Sequence, residues 1–171
     1  MADDPMNLSV VVSPEAPVDA AAVERLSERA FGPGRYARTA YRIRETAAAD
    51  PALSFVARIS TLLVGANRMT RVRCGPVPAL LLGPLTVDPA FRSRGIGAAL
   101  VRRSLDAAAA AGHGAVILVG DEAYYRRFGF TRVPAGRLAM PGPVDPARLL
   151  FRDLVEGAFA AAQGGVAPVV R

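Results

Sequence analysis

The chain has 171 residues, 51% of them apolar and 21% charged, with a net charge of +6. That is enough for one domain with a full core, and no apolar run reaches the roughly 20 residues of a membrane span. Its 21 basic residues are all arginine, spread without a run of five and without aromatic interleaving, so nucleic acid is not the expected partner. The opening "MADDPMNLSV" has acids where a signal peptide carries basic residues, which points to a cytoplasmic protein. One cysteine, Cys74, allows no internal disulfide. With a single histidine, His113, it excludes a Cys/His metal site, and the carboxylates show no metal-loop spacing. His113 would have to serve any Ser-His-Asp triad, but no G-x-S-x-G elbow accompanies it.

In chain order, "LSVVV" from Leu8 to Val12 reads as a strand. A helix follows, with Asp19 as N-cap and Gly32 as stop, its apolar side formed by Val23, Leu26, Ala30 and Phe31. A second helix is expected from about Arg35 to Thr46, with Tyr36, Ala40 and Ile43 on one face. The period then changes: "LSFVARI" and "TLLVGANRMTRV" are strand-like, joined by a turn near Ser60 and Thr61. "CGPVP" breaks the chain before "ALLLGPLTV", a strand whose internal Gly83-Pro84 implies a bulge or a splayed edge, because proline donates no ladder hydrogen bond. A helix from Gly95 to Ala111, the buried-type strand "GAVILVG", a short helix in "DEAYYRRFG" and strands in "FGFTRV" and "RLLFRDLV" complete the pattern, with a short strand in the tail "GGVAPVVR". The mixture is α/β, dominated by one sheet.

The junction "DPAFRSRGIGAALV" carries the functional information. It joins a strand ending at Val87 to a helix starting near Gly95. A helix N-terminus offers unpaired N–H groups and partial positive charge to anions. Glycines at Gly95 and Gly97 cost helix propensity but let the backbone approach a phosphate, and Arg92 and Arg94 add charge. A diphosphate cradle accounts for all of these. The P-loop motif cannot occur in a chain without lysine. The dinucleotide fingerprint is half mimicked by Gly95 and Gly97, with Leu100 in the third place and Asp121 near the position of a ribose-binding acid. It wants its first glycine directly after the strand, and here seven residues intervene.

"R-S-R-G-I-G" from Arg92 to Gly97 resembles the acetyl-CoA motif (Q/R)-x-x-G-x-(G/A) of the GCN5-related N-acetyltransferases. With "LLLGPLTVDPAFRSRGIGAALV" and "VILVGDEAYYRRFGF", the chain looks like the YhbS-like branch of that family, most strongly between Ala79 and Val133. The resemblance implies a mixed, mostly antiparallel sheet with a splayed central strand, flanked by helices. It implies that Leu85, Thr86 and Val87 lie along the pantetheine arm of acetyl-CoA, with the Leu85 amide facing the thioester carbonyl. Arg92, Ser93, Arg94, Gly95, Ile96, Gly97 and Ala98 would wrap the diphosphate. Tyr125, four residues before Gly129, stands where the family has its general acid and would also touch the cofactor. Tyr124 is the competing neighbour.

The implied reaction moves an acetyl group from acetyl-CoA to a primary amine, without a metal. The partners are acetyl-CoA and an amine acceptor; a homodimer is open, and neither nucleic acid nor a membrane is expected. Many family members carry a carboxylate on the strand before the cofactor motif, whereas "ALLLGPLTV" has none and Asp88 lies past its end as a turn residue. A non-catalytic acyl-CoA sensor on the same fold is one alternative, and a dinucleotide-binding oxidoreductase a more distant one. Arg35, Arg38 and Arg42 recur at i, i+3 and i+7, a helical stripe suited to an anionic acceptor, with Tyr36 and Tyr41 as candidates for its apolar wall.

Overall fold

A computed structural model describes residues 9–32 and 39–170. Its strands are β1 (Val10–Pro14), β2 (Phe55–Ile59), β3 (Leu62–Cys74), β4 (Val77–Val87), β5 (Ala115–Val119), β6 (Thr131–Arg132), β7 (Leu138–Ala139), β8 (Leu149–Asp153) and β9 (Gly164–Pro168). Its helices are α1 (Ala20–Phe31), α2 (Thr39–Thr46), α3 (Ile96–Ala110) and the single turn α4 (Glu122–Tyr125). The main sheet runs β1-β2-β3-β4-β5-β8-β6. Every pairing along it is antiparallel except β4 with β5.

The expected element order holds. Some bounds shift: β1 begins two residues later than expected, and Leu8 lies outside the described residues. Of the second helix, Thr39–Thr46 is described, and Arg35, Tyr36 and Arg38 lie outside. "CGPVP" proves to be a tight turn, with Cys74 paired to Val77 across it. Asp19 stands at the start of α1, but its carboxylate accepts from the Ala16 amide at 2.9 Å and pairs with Arg58 instead of capping the helix. The two-residue β7 was not expected; it pairs with β9, which itself lies against the last three residues of β3.

Strand alternation builds two cores. On β4, Leu80 and Leu82 face one side with Val116 and Leu118 of β5, and α3 covers them with Val101, Leu105 and Ala108. Ala79, Leu81, Ala115 and Ile117 face the other side with Ile43 of α2 and Phe159. Both faces are buried, which is why these strands read as continuous apolar runs. Helix α3 lies close over β3: a Cβ on Gly65 would come within 2.9 Å of both Ile96 and Leu100.

The centre of the sheet is split. Register between β3 and β4 shifts where Asn67 faces Leu85 and Met69 faces Leu82, so β4 holds one extra residue at Gly83-Pro84, the expected bulge. Beyond it β4 leaves its parallel neighbour. Only Leu80 with Val116 and Leu81 with Ile117 pair, although both strands run on. The main chain from Leu82 to Val87 thus faces a wedge-shaped gap on its β5 side.

Candidate active site

Two concavities meet across this gap. A groove of about 540 Å³ runs along the α3 side of β4, and a cleft of about 1020 Å³ opens between α1, α2 and the ends of β4 and β5. Leu85 lines both.

The groove contains most of the expected cradle: Leu85 and Val87 along β4, then Arg92, Ser93 and Gly95 in the turn, then Ile96, Gly97 and Ala98 at the start of α3. The turn is shaped by its backbone. Ser93 has φ 65° and Gly95 φ 77°, left-handed values uncommon for a non-glycine residue. Alternating such residues with ordinary ones gathers N–H groups into an anion-binding concavity. The first helical bond of α3 runs from the Ala99 amide to the Gly95 carbonyl at 3.0 Å, which leaves the amides of Ile96, Gly97 and Ala98 without an intrahelical acceptor. A Cβ on Gly97 would sit 3.0 Å from the Tyr124 hydroxyl and 3.6 Å from Val87, filling the floor of the groove. These features fit a diphosphate.

Two expected groove residues are placed otherwise. Arg94 does not line the groove; its guanidinium lies over the Phe91 ring at 5.6 Å. Thr86 is 1% exposed and does not line it either, because alternation turns its side chain to the opposite face of β4 from Leu85. Asp88 is the turn residue expected of it: it accepts from the Ala90 amide at 2.9 Å and pairs with Arg29 at 3.2 Å. Four described groove residues were missed: Ala30 and Phe31 from the end of α1, Phe91 in the turn, and Arg127. Arg127 donates to the Tyr124 carbonyl and stacks over the Tyr124 ring at 4.6 Å, a contact three residues apart along the chain.

The adjacent tyrosines take opposite sides of the gap. Tyr124 lines the groove and Tyr125 the cleft, their rings edge-to-face at 4.9 Å. Asp121 caps the turn that carries them, accepting from the Ala123 amide at 3.1 Å. Tyr125 packs closely against Gly120, just past the end of β5: a Cβ there would come within 2.5 Å of its ring. Phe128 and Phe130 pack against it. Burial, helped by Tyr124, pushes the Tyr125 phenol up to about 12, against the opposing pull of Arg148 and Arg44. Burial also raises Tyr124, while Arg127 and Arg102 pull it down.

Among the described residues, four arginines line the cleft: Arg42, Arg44, Arg68 and Arg148. Arg68 chelates Glu15 through two nitrogens and also meets Glu24 at 3.1 Å. Although burial works against its charge, these carboxylates hold its pKa above the usual value. Of the expected stripe, Arg42 donates to the Pro141 carbonyl at 3.0 Å, and Arg35 and Arg38 lie outside the described residues. Among the described residues no group of His, Cys, Asp and Glu could hold a metal, and no helix is long and apolar enough to cross a membrane.

Comparison with known proteins agrees with this geometry. A model described as an acetyltransferase (GNAT) domain matches residues 50–132. The chain is 33% identical over 129 residues to the uncharacterized N-acetyltransferase YjhQ of Escherichia coli (strain K12), covering 73% of this chain and 71% of YjhQ. The crystal structure of the GNAT-family N-acetyltransferase YhbS from Escherichia coli in complex with CoA superposes with a TM-score of 0.81 at 25% identity, over 99% of this chain and 94% of that one. A GNAT-family acetyltransferase from Brucella melitensis in complex with acetyl-CoA has a TM-score of 0.62 at 29% identity, over 90% and 99% of the two chains.

Proposed function

Since the chain belongs to the GNAT acetyltransferase family, we propose that it is an acetyl-CoA-dependent N-acetyltransferase acting on a primary amine. The observation that carries this reading is the convergence of groove and cleft on Leu85. Among the described residues only Leu85 and Phe31 line both, and of these Leu85 lies on β4, where a donor held along the strand and an acceptor entering from α2 would meet.

In this reading the amides of Ile96, Gly97 and Ala98, with Arg92, hold the diphosphate. The main chain of Leu85 and Val87 holds the pantetheine arm. Acetyl-CoA supplies an activated acyl group. As an amine attacks it, negative charge grows first on the carbonyl oxygen and then on the departing sulfur. The Leu85 amide, rigid in β4, meets the first charge. The Tyr125 hydroxyl meets the second. With its pKa near 12 against about 8.5 for an alkyl thiol, full proton transfer from the phenol is uphill, so Tyr125 acts chiefly by a hydrogen bond that strengthens as the thiolate forms.

The retained donor beside the gap favours catalysis over a sensor, and the family assignment replaces the dinucleotide alternative. The test is binding followed by turnover. Acetyl-CoA at a hundred times its Kd should stabilise the protein by about 2.7 kcal/mol, seen as a raised Tm, with NAD giving no shift. Thiol release with an amine panel should then exceed the amine-free rate. A shift with NAD alone overturns the reading. Acetyl-CoA binding with no turnover on any amine would make the protein a sensor.

A further inference from the structure

The groove has a wall that the glycine turn does not supply. Tyr124 stands on it, its ring edge-on to Tyr125 at 4.9 Å and to Phe128 at 5.5 Å. Its hydroxyl meets the start of α3, 3.0 Å from where a Cβ of Gly97 would be. Arg127 is fastened to this tyrosine twice. Its Nε donates to the Tyr124 carbonyl at 3.0 Å, and its guanidinium carbon lies 4.6 Å from the ring centre. Arg127 lines the groove, and among the described residues no hydrogen bond or ion pair reaches its two terminal nitrogens. One nitrogen and one face hold the fork in place, so little side-chain freedom is lost when an anion meets its open edge.

The acids of the same turn do not neutralise it. Glu122 pairs with Arg126 and Arg132, and Asp121 holds the Ala123 amide. Arg102 of α3 adds positive charge beside the aromatic group, over Phe128 at 5.3 Å. Arg92 lines the same groove from the turn before α3. We propose that Arg127 is a phosphate-binding residue of the donor site, which grips a phosphate of acetyl-CoA from the turn after α4 while the amides of α3 hold the donor from the other side. Tyr124 is then a positioning residue, the pillar on which the fork rests. This rests on the reading of the groove as the acetyl-CoA site and adds a residue to it. The donor carries phosphate in two places, the diphosphate and the ribose 3′-phosphate, and a planar fork pairs with either. The contact selects donors by their phosphates: an acetyl group on a bare pantetheine arm would forgo it.

The test is a binding cycle read by calorimetry with CoA, 3′-dephospho-CoA and pantetheine, the weaker ligands by displacement of CoA. Arg127→Gln should weaken CoA by about tenfold, the worth of a charged hydrogen bond, and leave pantetheine unchanged. A penalty that vanishes on 3′-dephospho-CoA puts the fork on the 3′-phosphate. One that persists there and vanishes on pantetheine puts it on the diphosphate. Arg127→Lys keeps the charge without the fork and should restore part of the affinity. The Tm without ligand shows whether Arg127→Gln folds; if it does not, Arg127→Lys against wild type reads the same cycle with a smaller penalty. Undiminished CoA affinity overturns the inference. So does an equal penalty on all three ligands, the result expected of a residue that only braces the turn. A wild type that binds no CoA overturns the donor-site reading itself, and the role of Arg127 with it.

Discussion

Replacing Tyr125 by Phe is expected to lower kcat by about a hundredfold, the lower end of what a positioned proton donor contributes, while acetyl-CoA affinity changes little. The ring would remain: Gly120, Phe128 and Phe130 still hold a phenyl group in place. Only the hydroxyl is lost, and with it a hydrogen bond that matters when the sulfur carries charge. Steady-state rates with any competent acceptor, alongside calorimetry, separate the two effects. The pH profile adds an independent sign. A phenol raised to about 12 stays protonated through the whole working range, so Tyr125 contributes no fall in kcat between pH 8 and 10. An alkaline limb near pH 10 that disappears in Tyr125→Phe would contradict this, and Tyr124→Phe as the slower variant would move the role one residue back.

Gly97→Glu should weaken acetyl-CoA binding by more than a hundredfold, about 2.7 kcal/mol. Three effects add. Even a Cβ would press on the Tyr124 hydroxyl at 3.0 Å, and a glutamate chain must then extend along the groove. Its charge would stand among the amides of Ile96 and Ala98, which lack an intrahelical acceptor of their own. It would also compete for Arg92, which lines the same groove. A glutamate in the first turn suits the helix dipole, so α3 should stay folded, and loss of binding with an unchanged Tm in the absence of ligand is the expected combination. Undiminished affinity would remove the groove from the donor site.

How much of this was legible in the chain depends on the range of each signal. The bulge was visible because Gly83-Pro84 cannot complete a ladder, whatever its neighbours. The turn before α3 was visible because two glycines at a helix start mark a break in helix propensity. Helix α1 was visible from its apolar side, where Val23 and Leu26 are buried as expected. Strand β7 was not, since two residues in a Pro/Gly-rich stretch have no period to read. Neither Gly120 beneath Tyr125 nor Arg44 at Gly83 could be found that way, because each contact joins residues brought together only by the fold. Alternation, a local rule, gives the Thr86 side chain the face opposite to that of Leu85.

The bulge at Gly83-Pro84 also has a kinetic meaning. By peeling β4 from β5 it makes a window through the sheet, with the groove on one side, the cleft on the other and Leu85 on the frame. On the acetyltransferase reading the acetyl group would have little distance to travel, and the single cysteine is no carrier for it: Cys74 is buried at the far end of β3, its thiol raised to about 11 by that burial. Both substrates must then occupy the window together before either product leaves. Double-reciprocal plots at several fixed acceptor concentrations should converge on a common point, the mark of a ternary complex, and a parallel family of lines would mean that the acetyl group pauses on a side chain along the way.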